Sequence, residues 1–430
     1  MKTVGICTLG CKVNAYESEF IKSELEKAGY QIVNFDTKCD VYIINTCSVT
    51  NTSDSKSRKM IHKAIRENKD ACTVVMGCFL EAHQDYEEDG VSIYLGNTSK
   101  SQIVSLLDEY FVKQEPIQVP FVKTKTKFED MYIDKFEDRT RAFVKIQDGC
   151  ENFCAYCIIP YVRGKCRSKD PSIVLKEIKS LVDNGYQEIV LTGIHTGNYG
   201  VDLGSSFAKL LEDICKIKGL KRLRISSIEI TELNDNVLKV IENNSIIVDH
   251  LHIPIQSGCN KTLKDMNRKY NIDFFKNKVK QIRNIRPDIS LTTDLIVGFP
   301  NETDEDFKES LASCSEIGFT SLHVFPYSVR SGTAAAKFPN KIEPSKKKER
   351  VHEALCLSKE LEVSYYEKML GTEQAVLIET TRNGYSYGHT SNYLYVKIKG
   401  EFEKETFISV KIEKIDYPYL VGIEKIPCQN

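Results

Sequence analysis

Along the first hundred residues, and again from 141 to about 327, short β-branched apolar runs alternate with amphipathic stretches. TVGICTL (3–9), VYIIN (41–45) and CTVVMG (72–77) are strand-sized, and the stretches 17–28 and 55–68 between them carry helical periodicity. A parallel return between strands needs a crossover long enough to hold a helix, so this alternation restricts the chain to α/β architecture with parallel sheets. From 141 onward the strand candidates are AFVKI, EIVLT, RLRIS, DHLHI, ISLTTD and SLHVF. Helix candidates at 172–184, 206–216, 233–243, 274–285 and 305–317 fall between them. Six β-then-α repeats suit a partial (β/α)6 barrel, whose chemistry belongs at the carboxyl ends of its strands.

The pattern breaks twice. Residues 113–140 are charged, Pro-containing and weakly periodic, which reads as a linker docked through Phe121, Phe128 and Tyr132. Residues 341–369 carry KKKER and one long amphipathic helix. After it come only short β runs, EQAVLIE, YLYVKIK, FISVKI and YLVGIE, which fits a small OB-like barrel of the kind that binds oligonucleotides. The expected organisation is an N-terminal sheet domain at 1–112, a linker at 113–140, a barrel with a trailing helix at 141–369, and a β-barrel at 370–430.

A chain of 430 residues is too long for one ordinary core. A net charge of −1 gives no whole-chain attraction to a polyanion, leaving only local patches such as KKKER. The C-terminal part is not basic either, with seven Lys and Arg against eight Asp and Glu. Its Tyr385, Tyr387 and Tyr393 are candidates for stacking on bases, with core packing as the competing role. No apolar run approaches the length of a membrane helix, and MKTVGICTLG lacks the layout of a signal peptide. The fifteen cysteines are therefore expected in a reducing, cytoplasmic compartment, as metal ligands and buried thiols.

Two cysteine sets stand out. Cys150, Cys154 and Cys157, spaced C-x3-C-x2-C in DGCENFCAYCIIPYVRG, supply three thiolates from one loop directly after the first barrel strand. A four-iron cubane needs four ligands, so three cysteines leave one iron open to a small chelating molecule. Buried apolar thiols are the plain alternative. A zinc site closed by the distant His195 is the stronger rival, although no second C-x2-C exists. The other set comes from topology: Cys11, Cys47 and Cys78 each follow or end a strand of the N-terminal sheet, and ligands bind at that edge of open parallel sheets. Cys7, Cys39 and Cys72 read as structural.

The chain resembles the radical S-adenosylmethionine (SAM) methylthiotransferases from end to end. The matching stretches are TLGCKVNAYESE, INTCSVT, MGC, IQDGCENFCAYCIIPYVRGKCRS, LTGIHTGNYG, RLRISSIE, LHIPIQSGCNKTLKDMNRKY, TTDLIVGFPNETDEDF and HVFPYSVRSGT. The resemblance implies an N-terminal domain holding an auxiliary cluster, a radical SAM barrel and a C-terminal TRAM domain. It implies two [4Fe–4S] clusters, with Cys150, Cys154 and Cys157 holding the one that cleaves SAM and Cys11, Cys47 and Cys78 holding the other. One SAM would give a methyl group to a sulfur on the auxiliary cluster, and a second would give the 5′-deoxyadenosyl radical that activates an inert carbon.

SAM contacts are expected from Tyr156 in the loop, Gly193 and Gly197 after the second barrel strand, Ser227 and Glu229 after the third, and Gln256. Arg163 and Arg167, in RGKCRS, are expected at the SAM carboxylate or an RNA phosphate. Lys12-Val13 in GCKVNAYES points to the branch acting on N6-threonylcarbamoyladenosine at tRNA position 37. The isopentenyladenosine branch tends to carry Gln-Met there, and the branch acting on a ribosomal-protein aspartate Pro-Lys. Expected partners are a tRNA anticodon stem-loop and a low-potential flavodoxin- or ferredoxin-like electron donor, with no membrane and a monomeric enzyme. A zinc-stabilised RNA-binding protein is the reading from a different class.

Overall fold

The computed structural model describes residues 1–122, 127–136 and 140–425. The N-terminal sheet contains β1 (Thr3–Thr8), β2 (Gln31–Val33), β3 (Val41–Thr46), β4 (Cys72–Gly77), β5 (Ile93–Leu95) and β6 (Ile117–Gln118). It is wholly parallel, in the order β2-β1-β3-β4-β5-β6. Helices α1 (Lys12–Lys27), α2 (Asn51–Glu67), α3 (Cys78–Ala82) and α4 (Ile103–Lys113) form the crossovers. Helix α1 buries Tyr16, Phe20, Ile21 and Leu25 on one face of the sheet, against Val41, Ile43 and Val74. Helix α2, capped by Thr50, buries Ile61 and Ala64 on the other face, against Tyr42, Ile44 and Val75. The near-continuous apolar strands are what a sheet covered on both faces requires.

The second unit is a partial barrel of six parallel strands: β7 (Ala142–Lys145), β10 (Glu188–Thr192), β11 (Arg222–Ile225), β12 (His250–His252), β13 (Ser290–Val297) and β14 (Ser321–Pro326). A short β8 (Gln147–Asp148) pairs with β9 (Arg167–Ser168) above it. The connecting helices are α5 (Ile159–Arg163), α6 (Pro171–Asp183), α7 (Phe207–Cys215), α8 (Asp235–Asn243), α9 (Asn260–Asp265), α10 (Ile272–Ile285) and α11 (Asp304–Ile317). Isolated bridges, Leu223 to Ile247 and Ser227 to His252, join the two halves of the barrel. Strand alternation sends Ile189, Leu223, Ile225, Leu251 and Leu291 outward into the core. The intervening Glu188, Arg222, Arg224, His250, His252, Thr292 and Asp294 therefore face inward.

The barrel is open between β7 and β14, and the N-terminal sheet domain spans that gap. On the β7 side the Tyr16 hydroxyl donates to Glu177 at 2.6 Å. On the β14 side Arg330 donates to Asp54 at 2.8 Å, Asn51 at 3.0 Å and Ser48 at 2.6 Å. The segment before β7, expected as a linker docked through Phe121, Phe128 and Tyr132, is partly a packed strap, held by other residues as well. Met131, Ile133 and Phe136 are buried, and the Ile133 N–H donates to Glu177 at 2.9 Å. Its flanking charges hide this apolar spacing in the sequence. Positions 123–126 and 137–139 of the expected linker, and the last five residues of the expected C-terminal barrel, lie outside the described residues.

Helix α12 (Pro344–Met369) leads to a closed barrel of β15 (Glu373–Arg382), β16 (Tyr385–His389), β17 (Tyr395–Lys399), β18 (Phe407–Asp416) and β19 (Tyr419–Glu424). It seats against the amino ends of the partial-barrel strands. Arg222 donates to the His389 carbonyl at 3.0 Å, and the Asp249 N–H donates to Ser391 at 2.9 Å. Among the described residues no helix is long and apolar enough to cross a membrane.

Candidate active site

The first cysteine loop is shaped by its neighbours. Gly149 has φ +80°, and a Cβ there would stand 1.9 Å from the Lys165 carbonyl oxygen, so only glycine admits the fold-back. The Cys150 N–H donates to the Gly164 carbonyl at 3.0 Å, and the Cys157 N–H to the Cys154 carbonyl at 2.9 Å. All three thiols are half-buried. Burial first, then the neighbouring Cys154 and Cys150, push the Cys157 thiol up to about 12. Ligation needs the thiolate, so metal binding here releases a proton. Gly149→Ala is expected to disorder this loop and lower its bound iron, measured as iron per chain after anaerobic reconstitution with the rest of the fold retained by circular dichroism.

The second triad assembles from three strand ends. Cys11 caps α1, Cys47 follows β3 and Cys78 opens α3. Gly10 makes the approach possible, because a Cβ there would stand 2.8 Å from the Cys47 sulfur. Burial raises the Cys47 thiol to about 11, and Cys78 and Cys11 both add to that rise. Cys78 packs against Ile158 and Val162 of the segment that leaves the first loop. Asn97 ties the two together, donating to the Cys78 sulfur at 3.3 Å and to the Val162 carbonyl at 3.1 Å. The short helix α5, which begins two residues after Cys157, thus packs directly against Cys78 of the second triad. A cleft of about 690 Å³ opens between Cys11 and Cys47 on one wall and Phe325–Val329 on the other.

A mononuclear zinc site with Zn–S bonds of about 2.3 Å holds its sulfurs about 3.8 Å apart. Among the described residues, neither triad has its three sulfurs within 4.8 Å of one another, and the trio of His, Cys, Asp or Glu that is so close is His252, Asp294 and His323. A four-iron cubane takes one ligand on each iron, and each triad offers three of the four. His195 borders Cys150 and Cys166, but its ring is engaged by Asn152 at 3.2 Å and by Glu232.

The other expected contacts fare differently. Tyr156 sits in the loop with its hydroxyl 3.5 Å from Arg268. Glu229 lies at the end of β11, half-buried and paired with Arg268. Ser227 is exposed beside it, and Gln256 is half-buried at φ +62°. These four border the loop or the strand ends. Gly193 and Gly197 are crowded from within the protein: a Cβ would stand 3.1 Å from the Gln147 side chain at the first, and 2.4 Å from Glu232 at the second.

The expectation for Arg163 and Arg167 is corrected, since both are buried within the protein. Arg163 donates to Glu17 at 3.0 Å, Asp148 at 3.1 Å and Asn14 at 2.8 Å. Arg167 pairs with Asp148 at 3.2 Å and donates to the carbonyls of Arg163 and Lys165, each at 2.8 Å. Lys145 at 2.8 Å and Lys100 complete the cage around Glu17. Burial opposes the charge on Glu17, but Arg163, Lys100 and Lys145 outweigh it and hold the carboxyl far below its usual range.

Residues not singled out in the sequence also serve the site. Arg268 reaches the Cys154 sulfur at 3.2 Å and pairs with Glu229. The Gln147 side-chain oxygen accepts from the N–H groups of Ile194 at 3.1 Å and His195 at 2.7 Å, fixing the turn after β10.

Comparison with known proteins gives this geometry its family. The radical SAM superfamily model matches residues 144–314, and the uncharacterised protein family UPF0004 matches 3–93. The threonylcarbamoyladenosine tRNA methylthiotransferase MtaB of Bacillus subtilis is 43% identical over 98% of this chain and 96% of its own length. The chain belongs to the radical SAM methylthiotransferase family. The Thermotoga maritima protein of the same name is 39% identical over 96% of the chain and 95% of its own length. A tRNA-2-methylthio-N(6)-dimethylallyladenosine synthase of Carboxydothermus hydrogenoformans is 35% identical over 88% of both chains. Among solved structures, the radical SAM methyltransferase TsrM of Kitasatospora setae superposes at TM-score 0.57, with 12% identity over 90% of this chain and 76% of that one, a likeness of fold. As a radical SAM methylthiotransferase, the protein uses SAM and a [4Fe–4S] cluster.

Proposed function

We propose that this chain methylthiolates C2 of N6-threonylcarbamoyladenosine at position 37 of tRNA. Cys150, Cys154 and Cys157 hold the cluster that binds SAM, and Cys11, Cys47 and Cys78 hold a second [4Fe–4S] cluster. The observation that carries this reading is α5, a single five-residue helix that starts two residues after Cys157 of the first triad and packs against Cys78 of the second. Its substrate rests on the five relatives of that printed specificity, which are 34–43% identical over nearly the whole chain.

When bound, the clusters and SAM supply the chemistry that no side chain can: a methylated sulfur, and a radical that removes hydrogen from an aromatic carbon. The chain's own residues position and shield. Arg268 offers N–H groups beside Cys154 and orients Glu229 toward the strand ends. The strap and the N-terminal sheet cover the open side of the barrel next to β7, and the cleft next to β14 is the way in. A low-potential flavodoxin- or ferredoxin-like protein supplies electrons, and the enzyme acts as a monomer. In a strain lacking this protein, mass spectrometry of tRNA nucleosides is expected to show threonylcarbamoyladenosine without its methylthio derivative, restored on complementation. An unchanged methylthio peak would refute the assignment.

A further inference from the structure

Strands β12, β13 and β14 lie side by side and turn two imidazoles and a carboxylate to the barrel interior. Asp294 of β13 pairs in register with His323 of β14, and His252 of β12 pairs with Thr292, two residues before Asp294. Residues two apart on a strand share a face, so all four side chains stand on the same side of the sheet. The His252 Nε2 lies 3.3 Å from an Asp294 carboxylate oxygen, and the His323 Nδ1 lies 3.5 Å from the same oxygen. Among the described residues, this is the one trio of His, Cys, Asp or Glu whose donor atoms all lie within 4.8 Å of one another. The other nitrogen of His252 is engaged, with Nδ1 2.9 Å from the Thr292 hydroxyl. That hydroxyl also meets the His250 Nε2 at 2.9 Å, and His250 stacks on Tyr393 at 5.0 Å. The ring of His252 is thereby fixed with its Nε2 toward Asp294.

We infer that His252, Asp294 and His323 form a mononuclear site for a divalent transition ion, separate from both cysteine triads. As a plain ion-pair cluster the trio is poorly made. One carboxylate oxygen serves two imidazoles, and both separations exceed the about 2.7–2.9 Å of a charge-assisted hydrogen bond. Donors held by one tetrahedral ion at about 2.0–2.1 Å stand about 3.3–3.4 Å apart, which matches the two edges that meet at Asp294. The third edge, between the imidazoles, is the longer one, and the His323 side chain is 55% exposed, with room to turn its ring onto the ion. Two imidazoles and one carboxylate suit zinc, ferrous iron or manganese, whereas thiolates select iron–sulfur clusters. Thr292 supplies the outer hydrogen bond that a ligating imidazole needs: with Nδ1–H donating to its hydroxyl, the Nε2 lone pair of His252 is left for the ion. Arg224, which faces the same interior, has its charge offset by Glu188 at 2.8 Å. Three protein donors are one short of a closed structural site, so a coordination position stays open to the barrel interior. The site belongs to the β12–β14 half of the barrel, whereas the loop of Cys150 follows β7 in the other half.

The test dialyses anaerobically reconstituted full-length protein against a graded series of Zn²⁺ and, separately, of Mn²⁺, and reads zinc, manganese and iron per chain by mass spectrometry. Manganese is included because soft thiolates do not select it. The unaltered protein is expected to take up about one ion per chain beyond its cluster iron. Thr292→Val keeps all three donors and is expected to weaken that uptake by about 10- to 100-fold, as for loss of an outer partner. Asp294→Asn and His323→Leu each remove a donor and are expected to weaken it further, with cluster iron unchanged. Equal uptake by the unaltered protein and both donor variants would place the ion elsewhere on the chain and overturn the site. Failure of the unaltered protein to take up either ion overturns it too. Neither result bears on the cysteine triads, whose iron is counted in the same samples.

Discussion

Glu17→Leu is expected to destabilise the protein by about 3–5 kcal/mol, as for a buried charge network deprived of one partner. Glu17 is fully buried where α1 meets the barrel, and it faces Lys100, Lys145 and Arg163. Without it Asp148 alone offsets Lys145 and Arg163, at 2.9 and 3.1 Å, and Lys100 loses its carboxylate. Lys100→Met added to Glu17→Leu should recover part of the loss, because it removes one of the stranded cations. Urea unfolding followed by circular dichroism measures both. The pH dependence has a definite sign. The carboxyls of Glu17 and Asp148 are held below their usual range in the folded state. Their contribution is therefore full above the ordinary carboxylate range and is lost as pH falls toward the folded values. The gap between parent and Glu17→Leu should be constant from pH 7 down to about pH 5 and narrow below that. A gap that widens in acid would contradict the charge assignment.

The cysteine sets are expected to separate by function. With Cys154 and Cys157 both replaced by Ala, iron should fall from about eight to about four atoms per chain, and both SAM cleavage and methylthio product should vanish. With Cys47 and Cys78 replaced, iron should fall by the same amount, while reductive cleavage of SAM to methionine and 5′-deoxyadenosine continues without methylthio product. Iron assay, and chromatography of the SAM fragments under dithionite, distinguish the two variants. Retention of about eight irons in either variant would show that its triad is not a cluster site. Loss of all iron in either would show that the triads do not load independently.

The architecture was legible because its signal is periodic. Every strand candidate between 141 and 327 falls on an observed strand, since burial on the helix-covered face demands β-branched runs. Cys11, Cys47 and Cys78 could be brought together on paper because parallel strands deliver their carboxyl ends to one edge. Strand β16, YSYGH, was missed: it has no β-branched residue, and its Gly388 lies so close to Leu377 that a Cβ would stand 1.9 Å from that carbonyl oxygen. Arg163 and Arg167 were placed at a ligand because the spacing in RGKCRS says nothing about Asp148, which both meet, or about Glu17, which waits for Arg163 in another domain. His252, Asp294 and His323 come from three strands, and only the folded partial barrel makes them neighbours.

Helix α12 has a mechanical consequence. Its 26 residues span about 39 Å. Its first turn carries Lys347 into the wall of the cleft, while Tyr365, Tyr366 and Met369 at its far end are built into the core of the C-terminal barrel. Midway, the Ser358 hydroxyl accepts from the Leu322 N–H at 2.8 Å and pins the helix to β14. It has no glycine, and its one proline is at the first position, so it lacks the usual places for a kink. The C-terminal barrel is thus mounted on a stiff rod whose other end forms the doorway to the cysteines. A load applied to that barrel reaches the doorway as displacement, with no hinge along the way to absorb it.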